Sequence, residues 1–531
     1  MNPNQPHPLT RDPEQDGFWG WIDRASVWAG GWLNPILIKE ARQALKSKQF
    51  VITFFLLLAS SWLWTVLGIV TLSPDVYYMP SGEDMLQGYY FVLALPLLGM
   101  VPLVAHRSLA AEIDDGTFEM LAITKLSSMR IVLGKLNSAL LQMMIYFAAV
   151  VPGLAFSYLL RGVNMPTLVM MVIVVFFTAL LMTTAALMIA TLASHRAWQA
   201  FALLAVLGCV LFAQFLCAGV CLGGIVGQDA GSMPESWLYV GVFGLVGSGC
   251  MVLFVKAAAA RIAPVTENRS TGLRWCMFTL QLLWIFAMML IPMHYANHTP
   301  DAYVDAEPIN FAMMILAGFW LIMGALMLAE SPELSPRVQR TLPSTFLGRM
   351  FRMWFNPGPG TGYMFALCSG VAAFATMAVF SSSAAFLNIY QSPSTHPVAM
   401  ALLMSGYLIF YLSAVRIVCL VLGRWLGRSF VLSIATLAFV LFGSAVLPSV
   451  GSVLLTGDLP QAYSPLELPN WMWTLDEAFS RGIGLSAAML VFLLGAMLWV
   501  LNSLLLAREF SYRRIAEPTQ LRMEKQSEAL V

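Results

Sequence analysis

The sequence predicts an all-α integral membrane protein with about twelve transmembrane helices. Of its 531 residues, 59% are hydrophobic and 11% are charged, whereas a soluble domain carries roughly 25% charged residues. The apolar residues also occur in runs near the ~20 residues that a helix needs to cross a bilayer. Finally, the basic residues are distributed very unevenly between the two sides that twelve crossings create.

Twelve apolar runs are long enough to be spans. The least regular stretch is residues 198–256, where several glycines interrupt the run, and we interpret residues 228–236 as a short exposed turn there. The predicted spans are 51–72, 88–105, 132–160, 166–193, 198–224, 237–256, 275–293, 309–329, 363–387, 398–420, 430–455 and 484–507.

The basic residues predict the orientation of these spans. If the N-terminal segment is cytoplasmic, every Lys and Arg except Arg161 and Arg481 falls on the cytoplasmic side. The positive-inside rule describes this asymmetry. It predicts a multi-pass membrane protein with both termini in the cytoplasm.

The polar breaks predict the domain organisation. Residues 1–16 have the composition of a disordered tail, and residues 508–531 form a cytoplasmic tail. Residues 17–262 make a six-span unit, and 263–507 add six further spans, as a diverged second half or an accessory bundle. A cytoplasmic linker at 330–361 lies within the second part, and a division into eight and four spans stays open.

An amphipathic helix precedes the first span. Asn34 is a plausible N-cap and Pro35 suits the first helical position, so we predict a helix over residues 36–48. Its apolar side and basic side are typical of a helix that lies flat on an anionic leaflet; the alternative is a simple basic flank of the first span. The basic residues are Lys39, Arg42, Lys46 and Lys48.

A polar island, residues 110–135, separates the second and third spans. Its charges are too costly to place in hydrocarbon, so it must be a structured loop at the membrane surface. Gly116 supplies a turn and Thr117 a cap for a short helix over 117–123, flanked by Glu112 and Glu119. This helix either presses into a groove on a soluble partner or lies on the membrane without one.

Several functional classes lack their expected residues. The chain has no GxxxxGK[ST] phosphate loop and no HExxH motif, and its seven cysteines fall in or beside apolar runs. We therefore expect no catalytic residue and no metal site in this chain. We also expect no bound cofactor and no nucleic-acid partner. No ionisable residue lies well within a predicted span, since Arg416 is placed to extend towards the cytoplasmic surface. This argues against an ion-coupled carrier.

Two motifs resemble one transporter family. The stretch Asn34-Pro-Ile-Leu-Ile-Lys-Glu-Ala-Arg-Gln-Ala-Leu resembles the entry, or elbow, helix of ATP-binding-cassette (ABC) permeases of the type-2 exporter class. The pattern Ala-Glu, Gly-Thr-Phe-Glu-Met-Leu, Leu-Ser and Ile-Val-Leu-Gly-Lys resembles the loop that follows their second span. The resemblance covers about residues 20–260, and the C-terminal part departs from it.

The resemblance implies a permease subunit of an inner-membrane exporter that contacts a cytoplasmic ABC ATPase and membrane lipids. ATP and magnesium are then bound by the partner subunit, and the assembly is a homodimer or a pseudo-dimer. The implied coupling residues are Glu112, Asp115, Gly116, Thr117 and Glu119. The rival interpretations are a non-transporting membrane scaffold and, less favoured, an ion-coupled carrier.

Overall fold

The computed structural model describes most of the apolar runs. Within the described residues, twelve helices are long and apolar enough to cross a membrane. They correspond one to one with the predicted spans, so the all-helical, twelve-span prediction is confirmed: this is a multi-pass membrane protein. The chain divides into two compact units, residues 1–263 and 264–531. The described residues are 35–114, 127–192, 196–264, 267–298, 304–305, 307–330, 345, 354–382, 390–391, 395–427, 429–457 and 463–506.

Unit 1 contains nine α-helices, two π-helical turns and one 3₁₀ turn within the described residues. The π turns are Leu95–Met100 and Gly219–Val226, and the 3₁₀ turn is Ala230–Ser232. The helices are α1 Pro35–Leu45, α2 Lys48–Thr71, α3 Asp75–Tyr78, α4 Gly82–Ala94, α5 Val101–Asp114, α6 Ser128–Leu159, α7 Met165–Ala190, α8 Arg196–Ala218 and α9 Pro234–Ile262.

Unit 2 contains seven α-helices in its described part. A short 3₁₀ turn spans Pro465–Glu467, and two strands, β1 Val304–Asp305 and β2 Tyr390–Gln391, pair in parallel. The helices are α10 Thr271–His298, α11 Glu307–Leu328, α12 Pro359–Ser381, α13 Pro397–Leu426, α14 Phe430–Thr456, α15 Trp471–Ser480 and α16 Leu485–Leu506.

The helix before the first span is shorter than predicted. It runs over Pro35–Leu45 instead of residues 36–48. Ser47 ends it by capping α2, since its hydroxyl accepts a hydrogen bond from the Phe50 N–H at 3.1 Å, and a serine N-cap stabilises a helix start. Lys46 therefore lies in the turn and Lys48 opens the first span.

The core of unit 1 forms where α4, α5, α6 and α7 pack together. The second span is one continuous helical path over Gly82–Asp114, in which Leu95–Met100 is a π turn. Pro96 lies in that turn and has no backbone N–H to donate, which is a usual cause of such irregularities. The π turn at Gly219–Val226 lies in the glycine-containing part of the fifth span.

The loop between the fifth and sixth spans is the short, largely exposed turn predicted for residues 228–236, although part of it is buried. Gly231 is buried there, and a Cβ atom at Gly231 would come within 2.2 Å of the Thr167 backbone nitrogen. Only glycine allows this close approach. The carboxylate of Asp229 accepts hydrogen bonds from the Thr167 hydroxyl and, at 2.6 Å, from the Asn164 amide. The loop is therefore fixed to the start of α7.

This contact predicts a pH-dependent stability. The hydrogen bond from Thr167 has the largest effect on the Asp229 carboxyl, and with the bond from Asn164 it lowers the pKa of Asp229 below its ordinary value of about 3.9. The ionised carboxylate thus stabilises the fold above that value, and the contribution is lost as the pH falls through the lower folded pKa. In thermal unfolding of the detergent-solubilised protein, Asp229→Asn should lower Tm at pH 7. Below about pH 3.9 the difference should shrink; an equal difference at all pH values would contradict this role.

Unit 2 is organised around α13, the most buried of its spans. It packs against α11, α12, α14 and α16. Its contact with α16 is a close backbone approach, because a Cβ atom at Gly406 would come within 2.7 Å of the Phe492 nitrogen and one at Gly495 would come within 2.7 Å of the Gly406 oxygen. Small residues permit such approaches between membrane helices.

Candidate functional site

The predicted functional segment is bounded by a cluster of charged side chains. Lys135, on α6, places its Nζ atom 3.1 Å from Glu112 Oε2 and 3.4 Å from Glu40 Oε2. It also donates a hydrogen bond to the Ser108 hydroxyl at 2.8 Å. Lys39 Nζ lies 3.7 Å from Glu112 Oε1 and 4.0 Å from Glu40 Oε1. These five residues form the Lys135 cluster.

Three helices contribute to the Lys135 cluster. Ser108 and Glu112 are four residues apart on α5, so they share one face of that helix. Lys39 and Glu40 are neighbours on α1, so they point in different directions: the Lys39 side chain is 62% exposed and that of Glu40 is 12% exposed. The cluster therefore joins α1 and the end of α5 to the beginning of α6.

The central lysine of the cluster is buried, and the charges around it are balanced. The Lys135 side chain is 2% exposed, and a lysine in that position needs a partner to offset its desolvation. The two carboxylates of Glu40 and Glu112 supply it, and with Lys39 the formal charges cancel. Removing one partner of such a buried group is much more costly than the net gain from forming it. The cluster therefore connects the three helices through contacts that are costly to break.

The structure describes some of the predicted site residues. Glu112 lies in the Lys135 cluster, as does Lys39, whereas Arg42, Lys46 and Lys48 are exposed. The predicted helix over 117–123 lies outside the described residues. So do four of the implied coupling residues, which are Asp115, Gly116, Thr117 and Glu119.

Sequence reasoning missed Glu40, Ser108 and the role of Lys135. Lys135 lies where the predicted polar island (110–135) overlaps the predicted third span (132–160), and the structure shows it almost fully enclosed between helices. A signal was present, because Glu40 is a lone acid on an otherwise basic helix and Lys135 is a lone cation within an apolar run. Two isolated charges of opposite sign indicate a buried pair.

Unit 2 has a buried ionic centre of its own. Arg274, at the start of α10, is fully buried and pairs with Glu330 at 2.6 Å between Nη2 and Oε2. Its guanidinium also donates to the Trp354 carbonyl at 2.8 Å, to the Asn356 carbonyl, to the Thr361 hydroxyl at 3.1 Å and to the Gly358 carbonyl at 3.2 Å. Glu330 accepts a further bond from the Gly358 N–H at 2.7 Å.

Arg416 does not reach the surface as predicted. It is 2% exposed within α13, and its guanidinium lies over the Tyr363 ring, 5.2 Å from the ring centre. The Tyr363 hydroxyl in turn shares a hydrogen bond of 2.6 Å with Ser413. The expectation that no span encloses an ionisable group is therefore wrong for Arg416, because an aromatic face on α12 covers the cation.

Comparison with known proteins adds no family to this description. No protein-family profile matches the chain, no curated protein is similar to it, and no solved structure resembles it.

Proposed function

We propose that this chain is the membrane-spanning subunit of an ATP-driven transporter of the type-2 ABC exporter class. In this proposal a separate cytoplasmic ATPase subunit binds and hydrolyses ATP, and both termini of this chain lie on the same cytoplasmic side of the inner membrane. The observation that carries the proposal is the Lys135 cluster, considered with the two motifs that resemble this family.

The placement of the cluster supports this proposal. Segment 115–126 leaves α5 after Asp114 and is followed by α6 at Ser128. Glu112 and Lys135 connect those two helices, and Glu40 connects both to α1. A force applied to the segment by a partner would therefore move α1, α5 and α6 together. The helices of the bundle would then move, whereas without these contacts only the helix ends next to the segment would unwind.

Two alternatives predict different behaviour. A membrane scaffold could use the same basic surface to hold cytoplasmic proteins, but it requires no rigid connection between α1, α5 and α6. An ion-coupled carrier gains some support from the buried Arg416, since ionisable groups within membranes mark transport pathways. The aromatic cover on Arg416 and its place in the packing of α12 and α13 favour a structural role for it.

The decisive experiment isolates the tagged chain from its own cells in mild detergent. We expect an ABC ATPase subunit to copurify and to give vanadate-sensitive ATP hydrolysis. Glu112→Lys should lower the copurified ATPase activity at least about tenfold, which corresponds to about 1.4 kcal/mol of coupling. The reason is that the new lysine side chain would repel both Lys135 and Lys39, which lie next to Glu112.

A matched control lies on the same span. Asp84 is an exposed carboxylate at the other end of the Gly82–Asp114 path, so Asp84→Lys changes the same charge away from the Lys135 cluster and should leave ATPase activity unchanged. Glu112→Gln keeps the shape of the side chain and should give an intermediate loss. Full ATPase binding and activity in Glu112→Lys would contradict the coupling role. Copurified proteins without ATP hydrolysis would favour the scaffold.

A further inference from the structure

A cavity of about 590 Å³ opens at one end of unit 2. It lies where α13 and α16 begin, and residues 481–485 form its other wall. Its volume falls within the range of about 300–1,000 Å³ that is usual for small-ligand sites. Among the described residues, those that line the cavity include Arg481 and His396 but no Asp or Glu.

Arg481 gives the cavity a positive charge that is open to a ligand. Its side chain is 74% exposed, and its Nη1 atom lies 3.6 Å from Glu477 Oε1, one helical turn earlier. An exposed pair of this kind is weak. The planar guanidinium also has five N–H donors, so it can bind a second anion with bidentate geometry while it stays near Glu477.

His396 adds a donor on the opposite wall. The Val398 N–H donates to His396 Nδ1 at 3.3 Å, so the neutral imidazole carries its proton on Nε2. That N–H is therefore available to an acceptor in the cavity. The first turn of α13 contributes to the same wall, and its end carries the positive side of the helix dipole.

Thr395 fixes the two walls relative to each other. Its side chain is buried, and its hydroxyl donates to the Ala478 carbonyl at 2.6 Å and accepts from the Ile483 N–H at 2.9 Å. The segment that carries Arg481 is therefore tied to the residue before His396. A site that is already arranged before binding loses less entropy when the ligand enters.

We propose that this cavity binds the phosphate group of a phosphate-bearing ligand, and that the ligand is an anionic phospholipid. Arg481 and the Nε2–H of His396 would hold the phosphate oxygens. Val398 and Leu485 line the cavity and are 37% and 47% exposed, so an apolar chain can continue from the phosphate along the spans. The proposal is independent of the transport function, because unit 2 provides every residue it uses.

Native mass spectrometry of the full chain in detergent tests the site with phosphatidylglycerol as the probe. We expect Arg481→Gln to weaken binding about tenfold, the value of a charge-assisted hydrogen bond, and His396→Ala to weaken it by a smaller factor. Glu477→Gln should strengthen binding, because it removes the competing carboxylate. The control is Arg424→Gln, which removes an exposed arginine from the other end of α13 and should leave binding unchanged.

Inorganic phosphate at millimolar concentration distinguishes the two sources of the ligand. No displacement of phosphatidylglycerol supports the lipid, whereas displacement that depends on Arg481 supports a soluble phosphate compound at the same site. The proposal is overturned if Arg481→Gln binds phosphatidylglycerol as tightly as the unmodified chain. It is also overturned if Arg424→Gln loses as much binding as Arg481→Gln.

Discussion

Lys135→Met should lower the free energy of unfolding by about 3 kcal/mol, the lower end of the range for breaking a buried ion pair. The substitution leaves Glu40 and Glu112 facing the same enclosed space without the cation that lies within 3.4 Å of both. We expect the lower end because Lys39 stays within 3.7 Å of Glu112 and offsets part of the repulsion. Titration of the detergent-solubilised protein with SDS, followed by tryptophan fluorescence, measures the loss.

Two further variants separate this effect from a general loss of charge. Lys46→Met removes an exposed lysine from the turn after α1 and should change stability by less than about 0.5 kcal/mol. Adding Glu40→Gln to Lys135→Met should recover part of the loss, because it removes one of the two facing carboxylates. If Lys135→Met is as stable as Lys46→Met, the cluster does not hold α1, α5 and α6 together.

Arg274→Met should lower the free energy of unfolding by about 3–5 kcal/mol, because it leaves Glu330 without its buried partner. It also leaves the carbonyl groups of Trp354, Asn356 and Gly358 without the guanidinium that binds them. The destabilisation should appear first in the residues around Arg274. Hydrogen exchange measured by mass spectrometry should accelerate in residues 354–361 and in the first turn of α10, while peptides from unit 1 keep their rates.

Arg274→Lys tests whether geometry matters as well as charge. Lysine keeps the charge but presents its donors from one point, so it cannot reach Glu330 and all three carbonyl groups. We expect exchange rates between those of the unmodified chain and Arg274→Met. Arg424→Lys, an exposed substitution in the same unit, should leave the rates unchanged. Equal rates for Arg274→Lys and the unmodified chain would show that charge alone is sufficient.

The twelve spans could be predicted from the sequence because hydrocarbon imposes a length and a composition on every crossing helix. That constraint acts on each run separately, so it needs no knowledge of neighbouring helices. The irregular fifth span at 199–226 was found despite its glycines, since glycine is tolerated in membrane helices.

The candidate site could be predicted only in part, for a related reason. The average polarity of an apolar run does not predict which face of the helix packs against another helix. Arg416 was expected at a surface because it lies towards one end of its run, but Tyr363 on another helix encloses it. Lys135 and Glu40 form an ion pair between two helices that are far apart in sequence. Local sequence patterns do not predict how such helices are aligned against each other. The turn predicted at 228–236 is largely exposed, but its contacts with Asn164 and Thr167 through Asp229 could not be predicted from local patterns.

The π turn at Leu95–Met100 sets the helical phase of everything that follows it in the second span. The Val101 N–H bonds to the Pro96 carbonyl, five residues back, so this turn contains one residue more than an α turn. One residue corresponds to about 100° of rotation around the axis. Without that extra residue, Ser108 and Glu112 would be rotated by about 100° relative to Lys135. The contacts of α5 with α1 and α6 therefore depend on the number of residues in the π turn, which lies in the middle of the span and away from the charged side chains.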